Sequence, residues 1–298
     1  MGSVILVTGA TGNVGRRVVS DLLRTGARVR ALTRNPDTAN LPAGVEVVRG
    51  DLSVPRSLDG CLAEVEAVFL LLSSPTSAET APAFLETVAK QARRIVFLSS
   101  SAIRDDVEQQ TNLIGKIHAD LEHLIERSGL EWTFVRPGAF ATNARGWWAP
   151  QIRVGDVVRW PYGAAVTAPI HERDIAAVAA RALTETGHER AKYVLTGPEP
   201  LTQADQVRTI GEAIGRPLRF EEISPETARQ QMRAFMPPPI VEVLLEVWSK
   251  LVDEPTPITN TVAEITGTPA HTFREWAIDH ADDFRRASEN SNSPSQKS

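Results

Sequence analysis

Apolar residues along the chain fall into two periods. Six short runs, residues 4–8, 28–32, 45–48, 67–72, 94–98 and 132–135, are rich in Val, Ile, Leu and Phe. Runs of this length and composition predict strands buried on both faces, as in a parallel sheet covered by helices. Between them the period lengthens. Val14, Val18, Val19, Leu22 and Leu23 recur at close to 3.6 residues, as do Ile114, Ile117, Leu121, Leu124 and Ile125, and each set predicts an amphipathic helix. Strand–helix alternation of this kind predicts an α/β, Rossmann-like, doubly wound parallel sheet of about six strands.

The pattern changes near residue 145. Residues 143–162 carry three of the six tryptophans among Gly and Pro and predict irregular loop with a short strand. Ile175, Val178, Ala179, Ala182 and Leu183 mark a helix, and residues 193–195 a short strand before a Gly-Pro turn. Residues 202–214, 225–235, the stretch from the proline break at 237–239 through about Leu251, and 272–285 read as helices. The expected organisation is a dinucleotide-binding domain over 1–145, with 165–197 folding back onto it. A smaller, mostly helical substrate or lid domain follows over 146–286. The polar tail from Ala287 is expected to be disordered.

Composition narrows the function. The 298 residues are 42% hydrophobic and 23% charged, as in an ordinary globular protein. A net charge of −5 disfavours a nucleic-acid groove as the main function. The single cysteine, Cys61, excludes an intrachain disulfide and a multi-cysteine metal site, so no metal is expected. No run is long and apolar enough to span a membrane, and the first residues lack a leader pattern. Together these point to a cytoplasmic protein that acts on a small molecule. The sequence is compatible with a homodimer and does not distinguish one from a monomer.

The strongest local signal is the turn Thr8-Gly9-Ala10-Thr11-Gly12-Asn13-Val14-Gly15, between the first strand and the first helix. Its glycines allow a tight turn, close approach of a phosphate to the backbone, and close packing of helix on strand. The helix N-terminus then offers N–H groups and a positive dipole end to a pyrophosphate. At the end of the second strand an NAD site wants an acid for the ribose 2′-hydroxyl. Thr33 and Arg34 stand there instead, and the guanidinium fork suits a 2′-phosphate. NADP(H) is therefore expected in preference to NAD(H); the other reading of Arg34 is a solvated loop side chain. Asp51 and Leu52, after the third strand, would lie near the adenine, although Asp51 is equally suited to a turn.

These features, followed in order by GDL at 50–52, LSSS at 98–101, VRPGAF at 135–140 and APIHERDIAAVA at 168–179, resemble the short-chain dehydrogenase/reductase superfamily. More narrowly, the chain resembles its atypical NmrA-like group, which includes NADPH-dependent quinone reductases and redox-sensing regulators. The resemblance covers residues 3–200 closely and 200–286 loosely. It implies that Leu72, Ser73 and Ser74 wall the cofactor, that Ser99 and Ser100 lie at a ligand-binding strand end, and that Pro137, Gly138, Ala139 and Phe140 pass close to the carboxamide.

One departure matters. Typical members carry a Tyr-x-x-x-Lys pair on the helix before the sixth strand, and neither Tyr162 nor Tyr193 lies there. In one register His118 replaces the lysine and Ile114 the tyrosine; in the other, Lys116 is kept and Asn112 replaces the tyrosine. The first is preferred, because Ile114, His118 and Glu122 share one helix face. His118 and Ser100 are then the candidate catalytic groups, and His118 also a ribose contact. Asn143, Trp147, Trp148, Trp160 and His171 are candidate substrate contacts. The tryptophans, with Tyr162, Met232, Phe235 and Met236, form either an aromatic lid or a second small core. Asp174 reads as a helix-start residue, and His271 and His280 as surface residues.

The expected activity is hydride transfer from NADP(H) to a small flat electrophile such as a quinone or enone. The rivals are a noncatalytic NADP(H)-binding regulator and a non-redox enzyme whose cofactor is structural.

Overall fold

All six predicted strands form, and they lie in one parallel sheet. The computed structural model describes residues 4–58, 60–72 and 75–286. The elements are β1 (Val4–Val7), α1 (Asn13–Arg24), β2 (Arg28–Thr33), β3 (Glu46–Arg49), β4 (Val65–Leu70), α2 (Pro75–Gln91), β5 (Arg94–Leu98), α3 (Leu113–Glu126) and β6 (Glu131–Pro137). The order is β3-β2-β1-β4-β5-β6, and strand Ala191–Leu195 adds a seventh beside β6. The order reverses between β1 and β4. That is the topological switch point of a doubly wound sheet, outside whose carboxyl edge ligands bind.

The chain divides into two compact units. The first holds the sheet, through Gly138, together with Glu172–Leu195 and Asn260–Pro269. Alternation along its strands builds two cores. Leu6, Val68, Leu70, Ile95, Phe97 and Phe134 pack with Phe84 and Val88 of α2 and Leu121 and Ile125 of α3. Val7, Phe69 and Val96, one step along, are equally buried and point to the opposite face. Helix Glu172–Thr184 packs against α1 and against β4, β5 and β6. Full burial of each large side chain contributes about 1.5–3 kcal/mol, so the strands are held from both faces.

The second unit comprises Ala139–His171, Thr196–Thr259 and the chain from Ala270. Strand Val157–Trp160 pairs in parallel with Arg219–Glu222, and Val166–Thr167 antiparallel with Leu201–Thr202. Helices Gln203–Ala213, Pro225–Met232, Pro238–Lys250 and Phe273–Asp279 supply most of the rest.

Three expectations are corrected here. Residues 143–154 are not irregular: Asn143–Val154 is a helix, because Ala144, Trp148, Ala149 and Ile152 bury one face at helical spacing, and Pro150 lies on the exposed side. The helix after the proline break begins inside it, at Pro238, since proline fits a first helical turn. The last expected helix ends at Asp279 and gives way to a 3₁₀ turn, Ala281–Asp283. The tail from Ala287 lies outside the described residues. Among the described residues no helix is long and apolar enough to cross a membrane, and no group of three or more His, Cys, Asp or Glu is placed to hold a metal ion.

Candidate active site

The glycine turn leaves its backbone open at the start of α1. Gly9 takes φ +61°, a left-handed conformation that disfavours any side chain. A Cβ on Gly15 would lie 2.1 Å from the Gly9 carbonyl oxygen, so only glycine lets α1 start this close to β1. Gly12 is the N-cap of α1 and provides no capping side chain, and the first turn carries no acidic residue. Thr11, Gly12 and Asn13 are exposed. Open backbone at an uncapped, acid-free helix N-terminus fits a pyrophosphate.

Two residues of this motif serve the fold instead. The Thr8 hydroxyl accepts from the Leu71 amide at 2.8 Å and is itself buried, so its side chain ties β1 to the end of β4 rather than facing a ligand. Val14 is buried on the packed face of α1 and offers only its backbone.

At the end of β2 Arg34 is exposed, and its carbonyl accepts from Arg49 at 3.2 Å. The Thr33 hydroxyl accepts from the Asn35 amide. Arg16 of α1 donates to the Asn40 and Ala39 carbonyls, which fixes the connection between β2 and β3. The Asp51 carboxylate accepts from the Ser53 amide and hydroxyl at 2.9 and 2.7 Å. These bonds, the Ser53 amide first and with a smaller pull from Arg34, hold its pKa below the usual 3.8. Asp51 is therefore a turn residue whose side chain is already committed. Leu52 is buried, and its carbonyl accepts from Thr80. Leu72 is half-buried, and Ser73 and Ser74 lie outside the described residues.

The ends of β5 and β6 carry a different construction. Glu122 of α3 is buried, and its carboxylate accepts from the Ser99 hydroxyl at 2.5 Å. It also accepts two bonds from the Arg136 guanidinium, at 2.9 and 2.5 Å. The other edge of Arg136 forks onto Asp105 at 2.6 and 3.0 Å, and Lys192 reaches Asp105 at 3.3 Å. The Arg136 hydrogen bonds hold the Asp105 carboxyl down to about 2. The Ser99 side chain is thus spent on Glu122, leaving only its backbone for a ligand. The Ser100 hydroxyl accepts from the Ala102 amide at 3.1 Å, which leaves its O–H to donate. Pro137 is buried, and the Gly138 amide donates to the Leu195 carbonyl.

The residues of the two registers on α3 have different surroundings. Asn112 is the N-cap and accepts from the Gly115 amide, while Lys116 is exposed and pairs with Asp120. His118 is half-buried and stacks on Phe97 at 6.0 Å. Its Nδ1 donates to the Ile114 carbonyl at 2.8 Å, since a carbonyl only accepts, and Nε2 keeps its lone pair. Burial pushes the His118 pKa below the ordinary 6.5, against weaker opposing pulls from the Ile114 carbonyl and Glu122. The ring is neutral near pH 7. Of the two phenols, Tyr193 bonds His188 at 2.8 Å, and Tyr162 belongs to the second unit.

In the second unit the tryptophans resolve as core. Trp148 is 0% and Trp160 2% exposed; both pack against Trp147, and Trp147 and Trp160 also pack against Trp248. They are not an open lid: nothing reaches their rings without displacing that core. Trp147 and Asn143 are half-buried. Ala139 and Phe140 are half-buried and pair with Ile170. His171 is buried, 3.4 Å from Asp279. His271 and His280, expected at the surface, are half-buried and flank it, with ring centroids 5.1 and 6.2 Å away.

Arg136, Asp105 and Lys192 are not among the site residues that the sequence predicts. The available signal was an arginine directly after the apolar run 132–135, since a charge inside a buried strand requires a buried partner.

A family profile described as NAD(P)H-binding matches residues 9–186. Over 284 residues the chain is 40% identical to the (4-alkanoyl-5-oxo-2,5-dihydrofuran-3-yl)methyl phosphate reductase of Streptomyces griseus, covering 94% of this chain and 99% of that one. It is 35% identical to the NAD(P)H azoreductase of Xenophilus azovorans, covering 95% and 100%. Among solved structures, the NADPH complex of the NADPH-dependent quinone oxidoreductase of Escherichia coli superposes with TM-score 0.77 at 24% identity, over 92% of this chain and 98% of that one. The NADP(H) complex of the triphenylmethane reductase of Citrobacter sp. gives TM-score 0.75 at 21% identity, over 93% and 99%. At these identities the two structures show a shared fold.

Proposed function

The chain belongs to the NAD(P)H-binding family and is an NAD(P)H-dependent oxidoreductase, and from that premise we propose that it reduces a small conjugated carbonyl compound, a quinone or enone, in preference to a simple ketone, with NADP(H) as the preferred cofactor. The observation that carries the acceptor class is on α3, where a neutral imidazole stands and no phenol. Hydride addition to a ketone leaves a strongly basic alkoxide that needs a proton donor in the transition state. Addition to a quinone or enone leaves a delocalised, weakly basic anion that water can protonate. A site without a strong acid is suited to the second.

The bound cofactor supplies the hydride; the residues position it and steady the product. The Gly9–Gly15 backbone and the α1 N-terminus hold the pyrophosphate, and Thr33 and Arg34 the 2′-phosphate. His118 Nε2, an acceptor while the ring is neutral, takes a hydrogen bond from the nicotinamide ribose. The Ser100 hydroxyl donates to the developing oxyanion. The relatives support this reading. One is named for a dihydrofuran bearing alkanoyl and oxo groups beside its ring double bond, and one is named a quinone oxidoreductase. A lone, buried Cys61 suits a cytoplasmic enzyme.

Steady-state kinetics with NADPH and a matched set of benzoquinone, cyclohexenone and cyclohexanone tests the proposal. General acid catalysis contributes roughly 10²–10⁴-fold, so kcat/KM for the conjugated acceptors is expected to exceed that for cyclohexanone by about that range. Equal rates for all three would show that a proton donor is present and overturn the reading.

A further inference from the structure

The mechanism above makes no use of the buried charges at the ends of β5 and β6, and their arrangement calls for a role. Glu122 and the Arg136 side chain are each 3% exposed. A buried ion pair contributes little net stability compared with apolar residues of the same volume, because desolvating both charges offsets their attraction. Such a pair does differ from an apolar one in direction: each bond fixes an angle as well as a distance.

Here those directions converge from four segments. Ser99 is the first residue past β5, and Arg136 the penultimate residue of β6. Glu122 is on α3, one turn beyond His118, and Asp105 lies in the connection from β5 to α3. Backbone bonds add to the hold. The Ser99 amide donates to Val135 at 2.7 Å, and the Ser101 amide to Pro137 at 3.1 Å. All of this sits at the carboxyl edge of the β4–β6 half, whereas the glycine turn and Arg34 belong to the β1–β3 half. In a doubly wound sheet each half takes one mononucleotide of the cofactor.

We propose that Glu122, through its bonds to Ser99 and Arg136, is a positioning residue for the nicotinamide half of the cofactor: it sets the Ser99–Ser101 backbone and the His118 helix in the arrangement that this half binds. Glu122 touches no ligand itself. The inference rests on the dinucleotide cofactor and is independent of the acceptor class.

The test is calorimetric titration of the full chain with NADPH and, separately, with 2′,5′-ADP, which carries only the adenine half. Glu122→Gln removes the charge that orients Arg136. Arg136→Lys keeps the charge and discards the fork. Ser99→Ala removes a single arm and leaves the ion pair intact, so it decides the matter if the other two fail to fold. The expected result is an NADPH Kd raised about tenfold in Glu122→Gln and Arg136→Lys, and about threefold in Ser99→Ala, as for the loss of one well-aligned hydrogen bond. The 2′,5′-ADP Kd should stay within about twofold of the parent. An unchanged NADPH Kd in the variants that fold, or equal weakening of both ligands, overturns the proposal. A lysine variant that matches the parent overturns it too, since charge alone would then suffice. A parent chain that binds NADPH but not the fragment counts against the 2′-phosphate reading, and the NADPH series still decides the role of Glu122.

Discussion

In the β1–β3 half of the sheet, the groups proposed to meet the cofactor are backbone amides and exposed side chains. Thr11, Asn13 and Arg34 stand in solvent around a turn shaped by glycines. In the β4–β6 half, the corresponding strand ends are held from beneath by a buried carboxylate and guanidinium, and His118 is half-buried against Phe97. In the proposed function the first half takes phosphate, a fixed charge that an open backbone and one exposed cation can bind. The second must hold a reacting ring in one orientation, where small displacements lower the rate steeply. Rigid, directional support is therefore found where chemistry is expected, and open contacts where recognition is expected.

The largest expected effect that separates the halves is on stability. Arg136→Ala leaves Glu122 buried and unpaired, and breaking a buried pair costs about 3–5 kcal/mol. Arg34→Ala removes an exposed side chain and should leave the urea midpoint where it is. If the two variants unfold at the same urea concentration, the contrast between the halves fails. Next comes Gly15→Ala, whose methyl would meet the Gly9 carbonyl oxygen at 2.1 Å. Overpacking of this kind costs about 1–3 kcal/mol, and the displaced turn should weaken NADPH binding about a hundredfold, as for two lost charge-assisted bonds. Calorimetry that showed full affinity would mean the turn is not the phosphate cradle.

Arg34→Ala is expected to act on cofactor choice alone. It should lower NADPH affinity on the order of tenfold to a hundredfold and spare NADH; equal affinities in the parent chain would remove Arg34 from the site. The smallest effect concerns pH. The unfolded chain protonates His118 near 6.5, and the native chain resists until lower pH because burial disfavours the charge. Stability from the neutral ring is therefore complete above that value and is lost as pH falls through the depressed native pKa. Thermal melts between neutral and mildly acidic pH should show this decline in the parent and less of it in His118→Gln. Parallel curves would mean that the ring does not resist protonation.

The same division decides what could be read from the chain. The glycine turn and Arg34 each follow directly on a strand, so residue type and place in the fold are read together from a short local stretch. The alternation of strands and helices was legible for a similar reason, since each element declares its own period. The Glu122–Arg136–Asp105 network joins residues 14 and 31 positions apart, and no local pattern reports that they meet. Ser99 and Thr8 read as ligand contacts by position, yet tertiary hydrogen bonds claim both side chains. The tryptophans show the limit of composition. Aromatic rings suit a lid and a core equally, and only the helical spacing of Ala144, Trp148, Ala149 and Ile152 places them inside.

The central claim is that the chain is a catalyst for NADPH-dependent reduction and not a passive cofactor sensor. A single-turnover experiment tests it most directly: the chain preloaded with one equivalent of NADPH is mixed with excess benzoquinone, and the nicotinamide absorbance is followed against the same mixture without protein. The expected result is complete loss of the reduced-nicotinamide signal, faster than the background reaction, with one hydroquinone formed per NADPH consumed. Tight NADPH binding with an absorbance that decays no faster than the protein-free control would contradict it.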